Sequence, residues 1–354
     1  MTDEALLALL PELLLPWFAA NRRTLPWRED REPYHVWLSE IMLQQTRVEA
    51  VRGYYLRFLQ ALPTVTALAA APEEQLLKLW EGLGYYTRVR NLQRAAQEIE
   101  KRGAFPQDYA EVLALPGIGA YTAGAICSIC FEQPTAAVDG NVLRVYSRYL
   151  ASDAPIGEEK TKKRVAVLLS AVYPAGHCGD FTQALMELGA TVCLPNGAPL
   201  CECCPLAGLC RAKAQGQQLL YPVKAKKRPR RVEDRTVLLL RCGEALAVCR
   251  RPETGLLAGL WQLPDTEGTL TAQEALELAT AWGTHPIGIE RTVRRRHIFT
   301  HVEWHMTGVW LQCAAMPDRF SWFTPDRLRQ SIGLPTAYRQ FLDDIFKEEN
   351  KNGR

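Results

Sequence analysis

The segment Leu115-Pro116-Gly117-Ile118-Gly119-Ala120-Tyr121-Thr122 leaves the backbone few choices. Proline after Leu115 stops an apolar helix, two glycines one residue apart allow a tight reversal, and the small residues from Ala120 restart a helix. Two short helices therefore meet across a glycine hairpin. The N–H groups that open the second helix have no partner within it, so they suit an anion such as a phosphate. The same stretch also reads as an ordinary helix-turn-helix ended by glycine. It continues through a second apolar run to Val138-Asp139-Gly140-Asn141, where a lone carboxylate sits in a Gly-Asn turn. Asp139 is placed to cap a helix from Val142 to Leu150, to face chemistry, or to do both. Backbone donors at that helix start would favour its ionised form.

A chain of 354 residues is long for one core, and the period of its apolar residues divides it. From Trp17 to Leu220 the spacing is three and four, predicting helices almost throughout. Before that, the apolar stretch from Ala5 to Ala20 is broken by Pro11, Glu12 and Pro16; it is too short to span a bilayer and predicts two short helices on the body. No membrane segment is expected. Pro33 opens a predicted helix through Trp37, Ile41 and Val48. Glu40 lies on it between apolar neighbours, either as a poorly solvated carboxyl or as a first-half helix glutamate favoured by the dipole. The turn Gly82-Leu83-Gly84-Tyr85-Tyr86 carries two tyrosines, as a stacking wedge or as core anchors.

Tyr221 to Arg235 holds Lys224, Lys226, Lys227, Arg228, Arg230, Arg231 and Arg235 around two prolines and reads as an extended basic linker, solvated or touching phosphate. Net charge is only +3, so a basic surface has to be local. Beyond the linker the period shortens. Thr236–Leu240, Ala245–Cys249, His297–Trp304 and Met306–Leu311 are predicted strands, and Ala272–Trp282 a helix. The expected organisation is an all-α region over 1–220, the linker over 221–235 and an α+β domain over 236–350. Arg291, Arg294, Arg295 and Arg296 run into His297-Ile298-Phe299-Thr300-His301, a pattern for base recognition or for a charged edge strand.

Eleven cysteines with no basic leader at the start of the sequence argue for metal binding in a reducing compartment over a disulfide framework. Cys193, Cys201, Cys204 and Cys210 are separated by seven, two and five residues, so four thiolates can close around one metal centre. Zinc and an iron-sulfur cluster are both open on spacing alone, and Cys203 is a possible competing ligand.

With these motifs in this order, residues 15–220 resemble the endonuclease III superfamily of helix-hairpin-helix DNA glycosylases. Leu115–Ile126 is similar to its hairpin, with Gly117 and Gly119 at the phosphate. Val138–Asn141 is similar to its catalytic-aspartate motif, and Cys193–Cys210 to its cluster loop, which implies a [4Fe-4S] cluster on Cys193, Cys201, Cys204 and Cys210. The family's first gap is usually six residues, which keeps the choice between Cys201 and Cys203 open. Within the superfamily the chain is most similar to the MutY family of adenine DNA glycosylases. Ser39 to Thr46 resembles that family's glutamate helix, and Tyr121 stands where lyase members carry a Schiff-base lysine. Gly259 to Pro264 looks like the family's Nudix-related recognition domain, though no acidic metal box appears near Gly255 to Gly283 and nucleotide hydrolysis is not expected.

The resemblance implies a monofunctional enzyme that flips adenine out of double-stranded DNA, opposite 8-oxoguanine or G, and hydrolyses its N-glycosidic bond. Glu40 would protonate the purine with its pKa held up by Trp37 and a closed pocket, and Asp139 would stabilise the sugar cation. Asn141 and Tyr121 would order Asp139 and the water. Leu25, Trp27, Arg28 and Gln183 would form the adenine pocket. Gln45 and Tyr85 would fill and wedge the duplex, and Thr46 and Leu83 would lie near the opposite base with Phe299, Thr300 and His301. A bacterial, cytoplasmic, nucleoid-associated monomer is expected. The rivals are a bifunctional glycosylase with AP-lyase activity and a non-catalytic iron-sulfur DNA-binding sensor.

Overall fold

A computed structural model of the chain describes residues 1–224 and 229–343. Lys226, Lys227 and Arg228 of the expected linker, and residues 344–350 of the expected C-terminal domain, lie outside the described residues. The chain forms two compact units, one of Met1–Ala70 and Asn91–Lys226, the other of Ala71–Arg90 and Lys227–Arg354. Among the described residues no helix is long and apolar enough to cross a membrane.

The first unit is helical. It begins with α1 (Asp3–Ala8), α2 (Leu10–Asn21), α3 (Pro33–Leu43), α4 (Val48–Ala61) and α5 (Val65–Ala70). After α6 (Glu73–Leu79), which belongs to the other unit, come α7 (Thr87–Arg102), α8 (Tyr109–Leu113), α9 (Ala120–Phe131), α10 (Gly140–Leu150), α11 (Glu159–Ser170), α12 (Cys178–Thr191) and α13 (Arg211–Ala214). Leu7, Leu14 and Phe18 from the first two helices pack with Val145, Tyr149, Leu169, Phe181 and Leu188 in one core. Gly189 lets α12 approach α10 closely: a Cβ there would lie 2.5 Å from that of Asn141. The helix expected to run to Val48 ends at Leu43 instead. Gln45 then takes φ 59 before α4 begins. Apolar spacing continues in phase across this turn, so periodicity alone did not reveal it.

The second unit is a seven-stranded sheet between helices. Its elements are β1 (Arg231–Cys242), β2 (Ala245–Arg250), β3 (Trp261–Gln262), β4 (Asp265–Glu267), α14 (Ala272–Ala281), β5 (Pro286–Ile298), β6 (Val302–Cys313), β7 (Ser321–Phe323), α15 (Pro325–Ser331) and α16 (Thr336–Arg339). The main order is β3-β2-β1-β6-β5, with β1 and β6 parallel. Val237 and Leu239 of β1 face a core with Trp304, Trp310, Tyr338 and Phe341, while Leu238 and Leu240 face another with Ala275 and Ala279. Burial on both faces explains the unbroken apolar run.

Three expectations need correction here. Strand structure starts at Arg231 within the expected linker, because those polar residues pair with β6 from Val302 onward. His297–Trp304 is no single strand: β5 ends at Ile298, and Phe299 N donates to Val302 O at 2.8 Å across a tight turn. The arginine run therefore lies on β5, the edge strand of the main order. Finally, Ala71–Arg90 belongs with the sheet. Lys78 Nζ donates to Ile332 O at 3.2 Å, Glu81 Oε1 accepts from Leu334 N at 3.0 Å, and Arg90 Nη1 donates to Ala258 O at 2.8 Å.

Candidate active site

Glu40 sits on α3, where every residue from Val36 to Met42 is buried, and it is only 6% exposed itself. Its Oε2 accepts a hydrogen bond from the Tyr121 hydroxyl on the first turn of α9. Burial pushes the Glu40 carboxyl up to about 7; the Tyr121 bond opposes this, the charge of Asp139 adds to it, and Arg28 opposes it. The elevation thus comes from burial and Asp139. Tyr121 holds its proton firmly, since burial and both carboxylates raise its pKa well above the phenol range. Tyr121 was expected to order Asp139, but its hydroxyl bonds Glu40 instead.

Asp139 caps α10. Its Oδ1 accepts from Val142 N at 2.7 Å and its Oδ2 from Asn141 Nδ2 at 2.7 Å. These donors and the Arg144 guanidinium favour the carboxylate, yet burial outweighs them and raises its pKa above the usual range. The donors at the helix start are visible in the sequence, and the burial that outweighs them is not. Arg144 fixes Asn141 in turn: its Nη2 donates to Asn141 Oδ1 at 2.8 Å and to Gly189 O at 2.7 Å, and its Nε to Cys193 O at 2.7 Å.

Glu40, Tyr121, Asp139 and Asn141 open on one cavity of about 1600 Å³. Leu25, Trp27, Arg28, Gln183, Gln45 and Thr46 line the same space. Trp27 is buried edge-on against Tyr55, with ring centroids 5.5 Å apart. The hairpin reaches it through Gly119, the N-cap of α9, which has no side-chain cap and nothing within 4 Å of where a Cβ would be. Gly117 is constrained differently. It has φ +75, and a Cβ would lie 2.6 Å from that of Asn91. The first glycine makes the turn, and the second leaves its outer face open.

Sequence reading missed Glu187 of α12, which also lines this cavity. Its carboxylate is buried and accepts from Arg23 Nε at 2.6 Å and Arg28 Nη2 at 2.8 Å. Burial alone would raise its pKa, but the two guanidiniums bring it down to about 2. A glutamate inside Ala184-Leu185-Met186-Glu187-Leu188 carries the same signal that singled out Glu40, an acid in an apolar helix. Glu187→Ala leaves two guanidiniums without their buried counter-charge and is expected to destabilise the fold by about 3 kcal/mol in urea titrations at pH 7. The folded pKa lies below the ordinary value of 4.5. The pair's contribution is therefore present at neutral pH and fades as pH falls through 4.5 toward 2, and the variant should lose that acid limb.

Cys193, Cys201 and Cys210 are near enough to Cys204 to act on its thiol electrostatically. Cys193, Cys204 and Cys210 pack on the first unit's core. Burial pushes the Cys204 thiol up to about 12, and Cys193, Cys210 and Cys201 add to the rise. Arg148 Nη1 donates to Cys193 Sγ at 3.2 Å, and Cys210 Sγ donates to Arg148 O at 3.3 Å. Cys203 is exposed and contributes to neither shifted thiol of the set. Among the described residues no three His, Cys, Asp or Glu side chains are grouped to hold a single metal ion.

Leu83, Tyr85, Phe299, Thr300 and His301 belong to the second unit. Leu83 is buried and Tyr85 exposed. Gly82, Gly84 and Tyr85 all have positive φ, and Arg88 Nη2 holds their turn by donating to Leu83 O and Gly84 O, both at 3.1 Å. Tyr85 and Thr300 are joined hydroxyl to hydroxyl. Phe299, expected near the opposite base, is half-buried, with its ring centroid 4.5 Å from that of His297 and 4.8 Å from that of Trp304. Thr300 and His301 remain exposed.

Residues 38–171, which include the hairpin and the capped carboxylate, match the HhH-GPD superfamily of base excision DNA repair proteins. Residues 236–344 match the NUDIX domain. The adenine DNA glycosylase of Homo sapiens is 34% identical, over 92% of this chain and 72% of the human protein. That of Buchnera aphidicola subsp. Baizongia pistaciae is 31% identical, over 95% of this chain and 96% of its own. The chain belongs to the adenine DNA glycosylase family. Among solved structures, a thermostable thymine-DNA glycosylase superposes with a TM-score of 0.54 at 27% identity, covering 60% of this chain and 97% of that one.

Proposed function

We propose that the chain removes adenine mispaired with 8-oxoguanine or G from double-stranded DNA by hydrolysing its N-glycosidic bond, without strand cleavage of its own. The observation that carries this reading is the buried carboxyl pair: Glu40 raised to about 7 beside the hydrogen-bonded Asp139. Expelling a neutral purine needs a proton on the leaving base and an anion beside the sugar cation, and two carboxyls in unlike surroundings supply both. Glu40 protonates the base as the bond from C1′ to the purine breaks, Asp139 stabilises the oxocarbenium ion with Asn141 orienting it, and water then adds to C1′ and gives up a proton. Tyr121 keeps Glu40 in place. Leu25, Trp27, Arg28 and Gln183 receive the flipped adenine. Gly117 and Gly119 hold a phosphate, and Gln45 and Tyr85 fill and wedge the duplex. Thr46, Leu83, Phe299, Thr300 and His301 lie near the opposite base.

The direct test is alkali-induced strand cleavage of duplexes with A opposite 8-oxoguanine, A opposite G and A opposite T. Cleavage in the first two and none in the third is expected. Equal cleavage in all three, or none in any, overturns the reading. Tyr121 offers no amine for a Schiff base. Borohydride should therefore trap little or no covalent complex on abasic DNA, and stoichiometric trapping would make the chain a lyase.

Cys193, Cys201, Cys204 and Cys210 suit a [4Fe-4S] cluster, with Cys203 outside the set. Thiols that are costly to ionise in their buried setting are the kind whose deprotonation a metal centre supplies. The cluster would hold the 193–210 loop on the core. Iron and sulfide at four each per chain, with broad visible absorption, are expected; one zinc per chain would refute the assignment. Cys203→Ser should retain the iron, and Cys201→Ser should lose it.

A further inference from the structure

The cavity that holds Glu40 and Asp139 is also lined by basic side chains from separate places: Arg22 after α2, Lys162 and Lys163 on α11, and Lys224 where the linker begins. Most cations in its wall are already paired within the protein. Arg23 and Arg28 are held by Glu187, Arg31 by Glu132 and Asp180, and Lys162 by Glu159 at 2.5 Å. Arg22, Lys163 and Lys224 remain, all exposed, and among the described residues none of the three forms an ion pair. Glu159 feels Lys163 as well, but its hydrogen bond goes to Lys162.

Lys224 is held at this wall by backbone bonds. Val223 O accepts from Ile156 N at 3.1 Å, in the loop that leads into α11. Upstream, Arg148 Nε donates to Gln218 O at 2.9 Å and Tyr221 O at 3.1 Å. The start of the linker is thus fixed beside the helix that carries Lys163.

A nucleotide rotated into a pocket stays joined to a phosphate on each side, and those phosphates must lie at the pocket mouth. Unpaired cations there repel one another in the free protein and gain a partner when the backbone arrives. We infer that Arg22, Lys163 and Lys224 grip the phosphodiester backbone next to the flipped nucleotide, making the first residues of the linker part of the DNA-binding surface. These contacts position the strand and carry no base information. The inference rests on the reading that the chain acts on duplex DNA.

Salt dependence tests it. Binding of the full chain to a duplex with a stable abasic analogue opposite G is measured over a series of salt concentrations. Each phosphate contact contributes about 0.9 to the slope of log affinity against log salt, so K163A/K224A should be shallower by about 1.8 and R22A by about 0.9. K160A removes a charge from the same helix outside the cavity wall and should keep the slope. An unchanged slope in K163A/K224A, or an equal loss in K160A, overturns the inference. Adenine excision by the unaltered chain is followed in parallel. No excision from any mismatch would sink the functional reading, whereas an active chain with unaltered slopes in the variants sinks only the phosphate contacts.

Discussion

Glu40→Gln is expected to lower single-turnover adenine excision by about 10²–10⁴-fold, the span that a positioned general acid supplies. Glutamine fills nearly the same space and can still accept from Tyr121, so the loss isolates the proton. The pH dependence sharpens this. With the carboxyl raised to about 7, the protonated form dominates below neutrality, and excision should fall as pH rises through about 7. Stability shifts with the same group. A folded pKa above the unfolded 4.5 means that the folded state holds the proton between those values. Glu40 therefore favours folding fully below 4.5, and that contribution is lost as pH climbs toward 7. The glutamine variant should lose both dependences. Retention of near-normal single-turnover excision would remove Glu40 from the mechanism.

Asp139→Asn is expected to reduce excision by about 10²–10³-fold or more, since the sugar cation loses its only fixed counter-charge in the proposed mechanism. The cap separates chemistry from structure here. Asparagine caps helices as well as aspartate does, so the Val142 N–H keeps its acceptor, while Asn141 Nδ2 loses the Oδ2 that accepts from it; the loss of stability should stay at about 1 kcal/mol and leave the variant folded. Asp139→Ala loses the cap too and should cost about 1 kcal/mol of stability besides. If the asparagine variant excises adenine at a near-normal single-turnover rate while remaining folded, Asp139 is a cap alone.

How much of this was legible in the sequence depends on how local the cause is. Gly117 and Asp139 could be read because a positive φ and an N-cap are settled within a few residues. The run Val237–Leu240 could be read because burial on both faces leaves no polar alternation. Glu187 was not, because its meaning depends on Arg23 and Arg28, more than 150 positions away in the chain. The packing of Phe299 between His297 and Trp304 was not legible either, because exposure and anchoring look alike in an aromatic turn residue. The assignment of Ala71–Arg90 to the sheet unit rests on caps and carbonyls of partners far along the chain, which leave no local pattern.

That last feature also sets an order of events during synthesis. Residues 71–90 leave the ribosome early, but their partner Ala258 comes much later and Ile332 and Leu334 come near the end. At about 5–20 residues per second, translation of 91–343 takes on the order of 10–50 s. For that interval Lys78, Glu81 and Arg90 lack the partners they hold in the folded chain, Ile332 O, Leu334 N and Ala258 O. The segment can therefore take its final place only after the last helices have emerged, although it is among the first parts of the chain to be made.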